Sequence, residues 1–258
     1  MLAFSEKGNG PAVLLIHGFP LNRRMWQPQL EALAGAGYRV IAPDLPGFGA
    51  SPPLTGPVTM RHYAAALVAL LEQLEIDQAV VCGMSMGGYV LLSMLEHFPA
   101  RVAAAGFIVT RAAADDAAGK VKRSELAVTA RSQGAEPVAD IFAELVFAPQ
   151  TLQQRPELVA TVRGWMLFCN PEGAAGALEA MRERPDYVER LGEIGHPALV
   201  VGAAQDRAIP LGESQLLAAG LSQGELVTIE NAGHMVNLEQ PEIFNHALID
   251  FLQRCVKV

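Results

Sequence analysis

Short apolar runs bounded by glycine or proline alternate along this chain with longer segments of helical periodicity, and this alternation narrows the fold further than any other feature. Residues 12–17, 38–43, 79–84, 102–110, 197–202 and 225–230 read as strands. Their largely continuous apolar character suits strands covered on both faces. Residues 25–34, 60–74, 86–98, 211–219 and 242–254 read as the helices between them. Strand followed by helix, repeated, predicts an α/β fold built on a doubly wound, mostly parallel sheet.

One stretch breaks the rhythm. Residues 111–187 hold no strand run, only helical patterns at 124–132, 137–147, 157–168 and 172–182, punctuated by Pro137, Pro149, Pro156, Pro171 and Pro185. The expected organisation is therefore a core of residues 1–110 and 188–258, with a helical cap, 111–187, inserted between two strands. An insertion leaving the C-terminal edge of such a sheet lies over the place where these sheets bind ligands.

Composition excludes several function classes. With 51% hydrophobic and 18% charged residues in 258, the chain can bury a sizeable core, and disorder is not expected. A formal charge of -8 without a dense Lys/Arg cluster argues against nucleic acid as a partner. Cys82, Cys169 and Cys255 are far apart and odd in number, which argues against a disulfide framework and for a reducing compartment. Residues 1–11 carry Glu6 and Lys7 and no apolar h-region, and no run is long enough to span a bilayer. A cytoplasmic protein without a membrane partner is the expectation.

The chemistry-bearing segments follow predicted strands. Gly83-Met84-Ser85-Met86-Gly87 stands between the strand at 79–84 and an apolar helical run. It fits the G-x-S-x-G turn that lifts a nucleophilic serine above a sheet edge and aims a helix N-terminus at developing negative charge. The bland alternative is a plain glycine turn. His17-Gly18-Phe19-Pro20 ends the first strand. A backbone N–H from such a loop completes an oxyanion hole with the N–H after the nucleophile, which makes Phe19 and Met86 the candidate donors. His17 itself is read as a loop-shaping residue.

Asn231-Ala232-Gly233-His234 follows the last strand and places His234 to act as general base. His62, His97, His196 and His246 lie in helical patterns or at a strand start and read as packing or surface residues. Asp206, after the strand at 197–202, is the candidate acid that orients the imidazole. Its structural alternative is an N-cap for the helix at 211. Asp115 and Asp116 are rival acids, placed several residues past an earlier strand. In the cap, Phe142, Phe147, Trp165, Met166 and Phe168 form an aromatic and apolar set. Phe142, Trp165 and Met166 are candidate substrate contacts, with cap packing as the alternative for the set as a whole.

Taken with Asp44-Leu45-Pro46-Gly47-Phe48-Gly49-Ala50-Ser51, these motifs appear in the order seen in α/β-hydrolases, and the chain resembles that superfamily over essentially its whole length apart from the insertion. The resemblance implies a serine hydrolase with Ser85, Asp206 and His234 as its triad. It implies no metal, no organic cofactor and a small ester or lactone as partner, with a homodimer left open. Haloalkane dehalogenases look similar but carry an aspartate at the elbow, where this chain has Ser85. The closest likeness is to the 3-oxoadipate enol-lactonase and carboxylesterase-like group, through Thr110-Arg111-Ala112 and Arg184-Pro185-Asp186.

Two departures accompany the likeness: Val109 stands where many relatives have aspartate, and the short N-terminus is expected to lack the outermost antiparallel strand. Arg111 has two readings, a substrate-carboxylate contact or a salt bridge to Asp115 or Asp116. The same scaffold also hosts C–C bond hydrolases, cofactor-free haloperoxidases or perhydrolases, and slow-turnover ligand receptors.

Overall fold

A computed structural model describes residues 1–256. Seven strands, β1 (Phe4–Lys7), β2 (Ala12–Ile16), β3 (Arg39–Pro43), β4 (Ala79–Met84), β5 (Val102–Ile108), β6 (Ala198–Ala203) and β7 (Gly224–Ile229), form one sheet in the order β1-β3-β2-β4-β5-β6-β7. All neighbours are parallel except β1 and β3. The N-terminal expectation is corrected here, because the outermost antiparallel strand is present as β1. It is four residues long, its last two side chains are exposed, and it has a single neighbour, so it leaves no buried run for a pattern to reveal.

Alternate residues of each strand supply opposite faces. Val13 and Leu15 of β2, with Val80 and Cys82 of β4, pack against Leu30 and Leu33 of α1 (Gln27–Gly35) and Phe244, Leu248 and Phe251 of α11 (Pro241–Cys255). Leu14, Ile16, Val81 and Phe107 face the other way, against α2 (Met60–Gln73) and α3 (Met86–His97). Leu217 of α9 (Leu211–Gly220) joins this second cluster. Each such fully buried side chain contributes roughly 1.5–3 kcal/mol before conformational entropy is set against it.

Five helices lie between β5 and β6: α4 (Ala117–Gln133), α5 (Glu136–Leu145), α6 (Pro149–Gln154), α7 (Pro156–Met166) and α8 (Pro171–Arg182). Proline opens α6, α7 and α8, where its missing N–H has no intrahelical partner to lose. The Asp116 side chain caps α4 by accepting from the Gly119 N–H at 2.7 Å. The two ends of the insertion are stitched together. Tyr187 N–H donates to Ala112 O at 3.1 Å, and the Asp186 carboxylate accepts from the Ala114 N–H at 2.9 Å. The insertion packs into both core clusters, Leu178 and Met181 into one, Val162 and Phe147 into the other. A last short helix, α10 (Val236–Glu239), precedes α11.

Register brings the functional ends together. Ile16 pairs with Gly83, Met84 with Ile108, Ile108 with Val201, and Ala203 with Ile229. The C-terminal ends of β2, β4, β5, β6 and β7 thus finish along one edge, and every candidate segment of the sequence leaves the sheet there. Among the described residues no helix is long and apolar enough to cross a membrane.

Candidate active site

Ser85 sits between β4 and α3 with φ 53° and ψ −114°, a conformation that L-residues rarely adopt. Surrounding bonds hold it: its N–H donates to Ile108 O at 2.9 Å, and its carbonyl accepts from Gly88 N–H at 2.9 Å and Thr110 Oγ1 at 2.7 Å. The flanking glycines are required by close approach. A Cβ on Gly83 would stand 2.2 Å from Gly87 O, and one on Gly87 would stand 2.4 Å from Ile16 O. Ser85 itself is only half-buried, so its hydroxyl side remains reachable.

The loop after β2 lies against this turn. A Cβ on Gly18 would approach the Ser85 Cβ to 3.2 Å, which brings the neighbouring Phe19 backbone close to the serine. Met86 heads α3, so its N–H belongs to the first turn that a helix leaves without an internal partner. His17 shapes this loop: its Nε2 accepts from Leu45 N–H at 2.9 Å, which leaves the proton on Nδ1 to donate to Gly18 O at 2.9 Å. It is fully buried, and burial holds it below the ordinary imidazole pKa. A neutral imidazole with both nitrogens engaged is not free to act as a base. The Leu45 end of this contact is braced by Asp44, whose carboxylate accepts from the Arg23 N–H at 2.8 Å and the Ala50 N–H at 2.8 Å.

His234 follows β7 and Asp206 follows β6. His234 Nδ1 and Asp206 Oδ2 are 2.7 Å apart, and both side chains are buried. Asp206 Oδ1 accepts from the N–H groups of Ala208 at 2.8 Å and Ile209 at 2.9 Å. Asp206 does not cap α9, whose N-cap is Pro210. With Nδ1 committed to the carboxylate, Nε2 is the nitrogen left to face the site. Ser85 and His234 line the same cavity, about 110 Å³ in volume, together with Phe19, Tyr89, Arg111 and Phe142. Phe142 and Phe19 meet edge to face, with ring centroids 5.2 Å apart.

Three guanidiniums share one buried carboxylate beside the cavity. Arg111, Arg123 and Arg184 all pair with Asp115, the last two at 3.1 and 3.0 Å. Burial pushes the Asp115 carboxyl up, and its bonds to Arg184 and Arg123 more than reverse this, holding it at about 2. Arg184 also stacks 4.2 Å over the Tyr89 ring. Arg111 and Arg123 both reach the cavity, and among the described residues Arg111 Nε is buried without a partner. The rival acids thus have other tasks: Asp115 gathers arginines, and Asp116 caps a helix.

The structure therefore brings together Ser85, His234, Asp206, Phe19, Arg111 and Phe142. It leaves two expected contacts aside. Met166 is fully buried in a core cluster, and Trp165 packs half-buried against that cluster; neither lines the cavity. Their helix has an apolar face, but that face meets the protein core and not the cavity. Phe147 is likewise core, and Phe168 is exposed beside the Arg24 guanidinium. Sequence reasoning missed Tyr89, Arg123 and Met181 as cavity residues. Tyr89 had a signal, since it stands one helical turn after Ser85 on the same face of α3.

Known proteins match the chain in family and fold. A family model described as "alpha/beta hydrolase fold" matches residues 11–241. The chain is 33% identical over 244 residues to 3-oxoadipate enol-lactonase 2 of Acinetobacter baylyi, covering 95% of this chain and 89% of that one. Among solved structures it superposes on a thermophilic esterase from Thermogutta terrifontis, described with malate bound, with a TM-score of 0.95 at 36% identity, covering 98% of this chain and 93% of that one. The enol-lactonase from Burkholderia xenovorans LB400 gives a TM-score of 0.90 at 27% identity, covering 98% and 96%.

Proposed function

The chain belongs to the alpha/beta hydrolase fold family, and from that premise we propose that it is a serine hydrolase of small carboxylic esters or lactones. One observation carries the reading: a serine in a strained, half-open turn shares a cavity with an imidazole whose far nitrogen is bonded to a buried carboxylate. In the proposed cycle His234 Nε2 takes the proton of Ser85 Oγ as the oxygen attacks the substrate carbonyl. The N–H groups of Phe19 and Met86 hold the tetrahedral oxyanion. His234 then protonates the leaving oxygen, and water, deprotonated by the same imidazole, releases the acid from the acyl-serine. Asp206 keeps the imidazole in the Nδ1–H tautomer and stabilises its charged form.

The site also favours a class of substrate. Three arginines around one aspartate leave a net positive cluster beside a small cavity, and two of them, Arg111 and Arg123, line it. A substrate carboxylate would complete that cluster by charge-assisted hydrogen bonds. The relatives compared above suit this, being named as an enol-lactonase and as an esterase with malate bound. Three free cysteines support a reducing, cytoplasmic setting.

A panel of neutral p-nitrophenyl esters, carboxylate-bearing esters and small lactones tests the reading. Ser85→Ala abolishes turnover of every member. Arg111→Ala raises KM for the carboxylate-bearing members by the equivalent of about 1.5–3 kcal/mol and leaves neutral esters nearly unchanged. Turnover surviving Ser85→Ala overturns the mechanism; equal losses on charged and neutral substrates overturn the role of Arg111.

A further inference from the structure

Glu239 is a buried carboxylate that the proposed cycle does not use, yet it stands five residues after His234 with only 5% of its surface exposed. Its oxygens join two segments far apart in the chain. Oε1 accepts from the Gly233 N–H at 2.9 Å, the residue before His234. Oε2 accepts from the Ala148 N–H at 3.0 Å and from Thr151 Oγ1 at 2.6 Å, at the start of α6 in the helical insertion.

Further ties run the same way. Met235 N–H donates to Val146 O at 2.9 Å, and Gln150 Nε2 donates to Asn231 O at 3.0 Å. The contact is so close that a Cβ on Gly233 would stand 2.4 Å from the Ala148 nitrogen. A buried carboxylate is costly unless its lone pairs are met, and here they are met only while loop 231–239 and segment 146–151 stay together.

We propose that Glu239 is a positioning residue that clamps the His234 loop to the helical insertion, so that the imidazole stands correctly over Ser85 only while the insertion is docked. The inference rests on the reading of Ser85 and His234 as nucleophile and base. It assigns the insertion a second task besides lining the cavity, because displacement of α6 is passed to the base through this carboxylate and the backbone ties beside it. Glutamine cannot replace it: whichever way the amide is turned, its NH2 meets the Ala148 N–H or the Gly233 N–H, donor against donor.

The test combines p-nitrophenyl acetate kinetics with hydrogen–deuterium exchange on the full chain and its Glu239→Gln and Thr151→Val variants. Glu239→Gln lowers kcat about 10–100-fold, the scale of a small misplacement of a reacting group, while KM stays within about twofold. Exchange rises together in 146–151 and 231–239 and hardly elsewhere. Thr151→Val, which removes one donor on the insertion side and keeps the shape, moves kcat and exchange in the same direction by less. A kcat within about twofold of wild type in both variants, or exchange that rises in one segment alone, overturns the clamp. Should Glu239→Gln fail to fold, Thr151→Val decides by the same criteria. Should the wild type turn over no ester, the proposed function falls, and paired exchange alone decides the clamp.

Discussion

Asp206 divides its two oxygens between two sets of partners, and on the proposed cycle this division makes its neutralisation costly. One oxygen is held by the N–H groups of Ala208 and Ile209; the other faces His234 Nδ1. In Asp206→Asn the amide oxygen can keep the two backbone donors, which turns the NH2 toward the imidazole. Nδ1 must then accept, the proton moves to Nε2, and no base faces Ser85. Steady-state kinetics should show kcat lower by roughly four orders of magnitude with a nearly unchanged melting temperature. A loss below tenfold would assign the acid elsewhere. At this scale the sequence was informative, because Ser85, Asp206 and His234 each follow the C-terminal end of a parallel strand, where topology alone gathers them. Glu239 was not legible: its partners on the insertion lie 88 and 91 residues away, and no local pattern marks them.

Among elements, the inner parallel strands and the helices flanking them could be read because burial on both faces writes itself as apolar runs, whereas the edge strand β7 is half exposed. The parts that escaped are those whose environment is set at a distance. Strand β1 is short and half exposed, and the six-residue α6 has too few turns for a period. In α7 an apolar face was visible, but its contact with the core instead of the cavity follows from how the helix docks.

The roots of the insertion depend on Asp115, which lies near its start and ties Arg184 at its end to Arg123 of α4. Its folded pKa, at about 2, is below the ordinary 3.8, so its stabilisation is complete above about pH 4 and is lost as pH falls through about 2. Amounting to about 2 kcal/mol, it should appear in denaturant titrations as an acid limb. Asp115→Asn should unfold more readily than wild type at pH 7, with the gap narrowing below pH 4. A gap that stays constant down to pH 2 would contradict the assignment.

Seen whole, the molecule places a serine, an imidazole and a buried carboxylate from three different strand ends at one sheet edge, beneath an insertion whose Arg111 and Arg123 line the cavity. The central claim is that Ser85 is the nucleophile of this arrangement. Treating the full chain with a serine-directed phosphonate and mapping the adduct by peptide mass spectrometry tests it most directly. One stoichiometric adduct is expected on Ser85, absent in Ser85→Ala and strongly slowed in His234→Ala. An adduct on another residue, or equal labelling of Ser85→Ala, would contradict it.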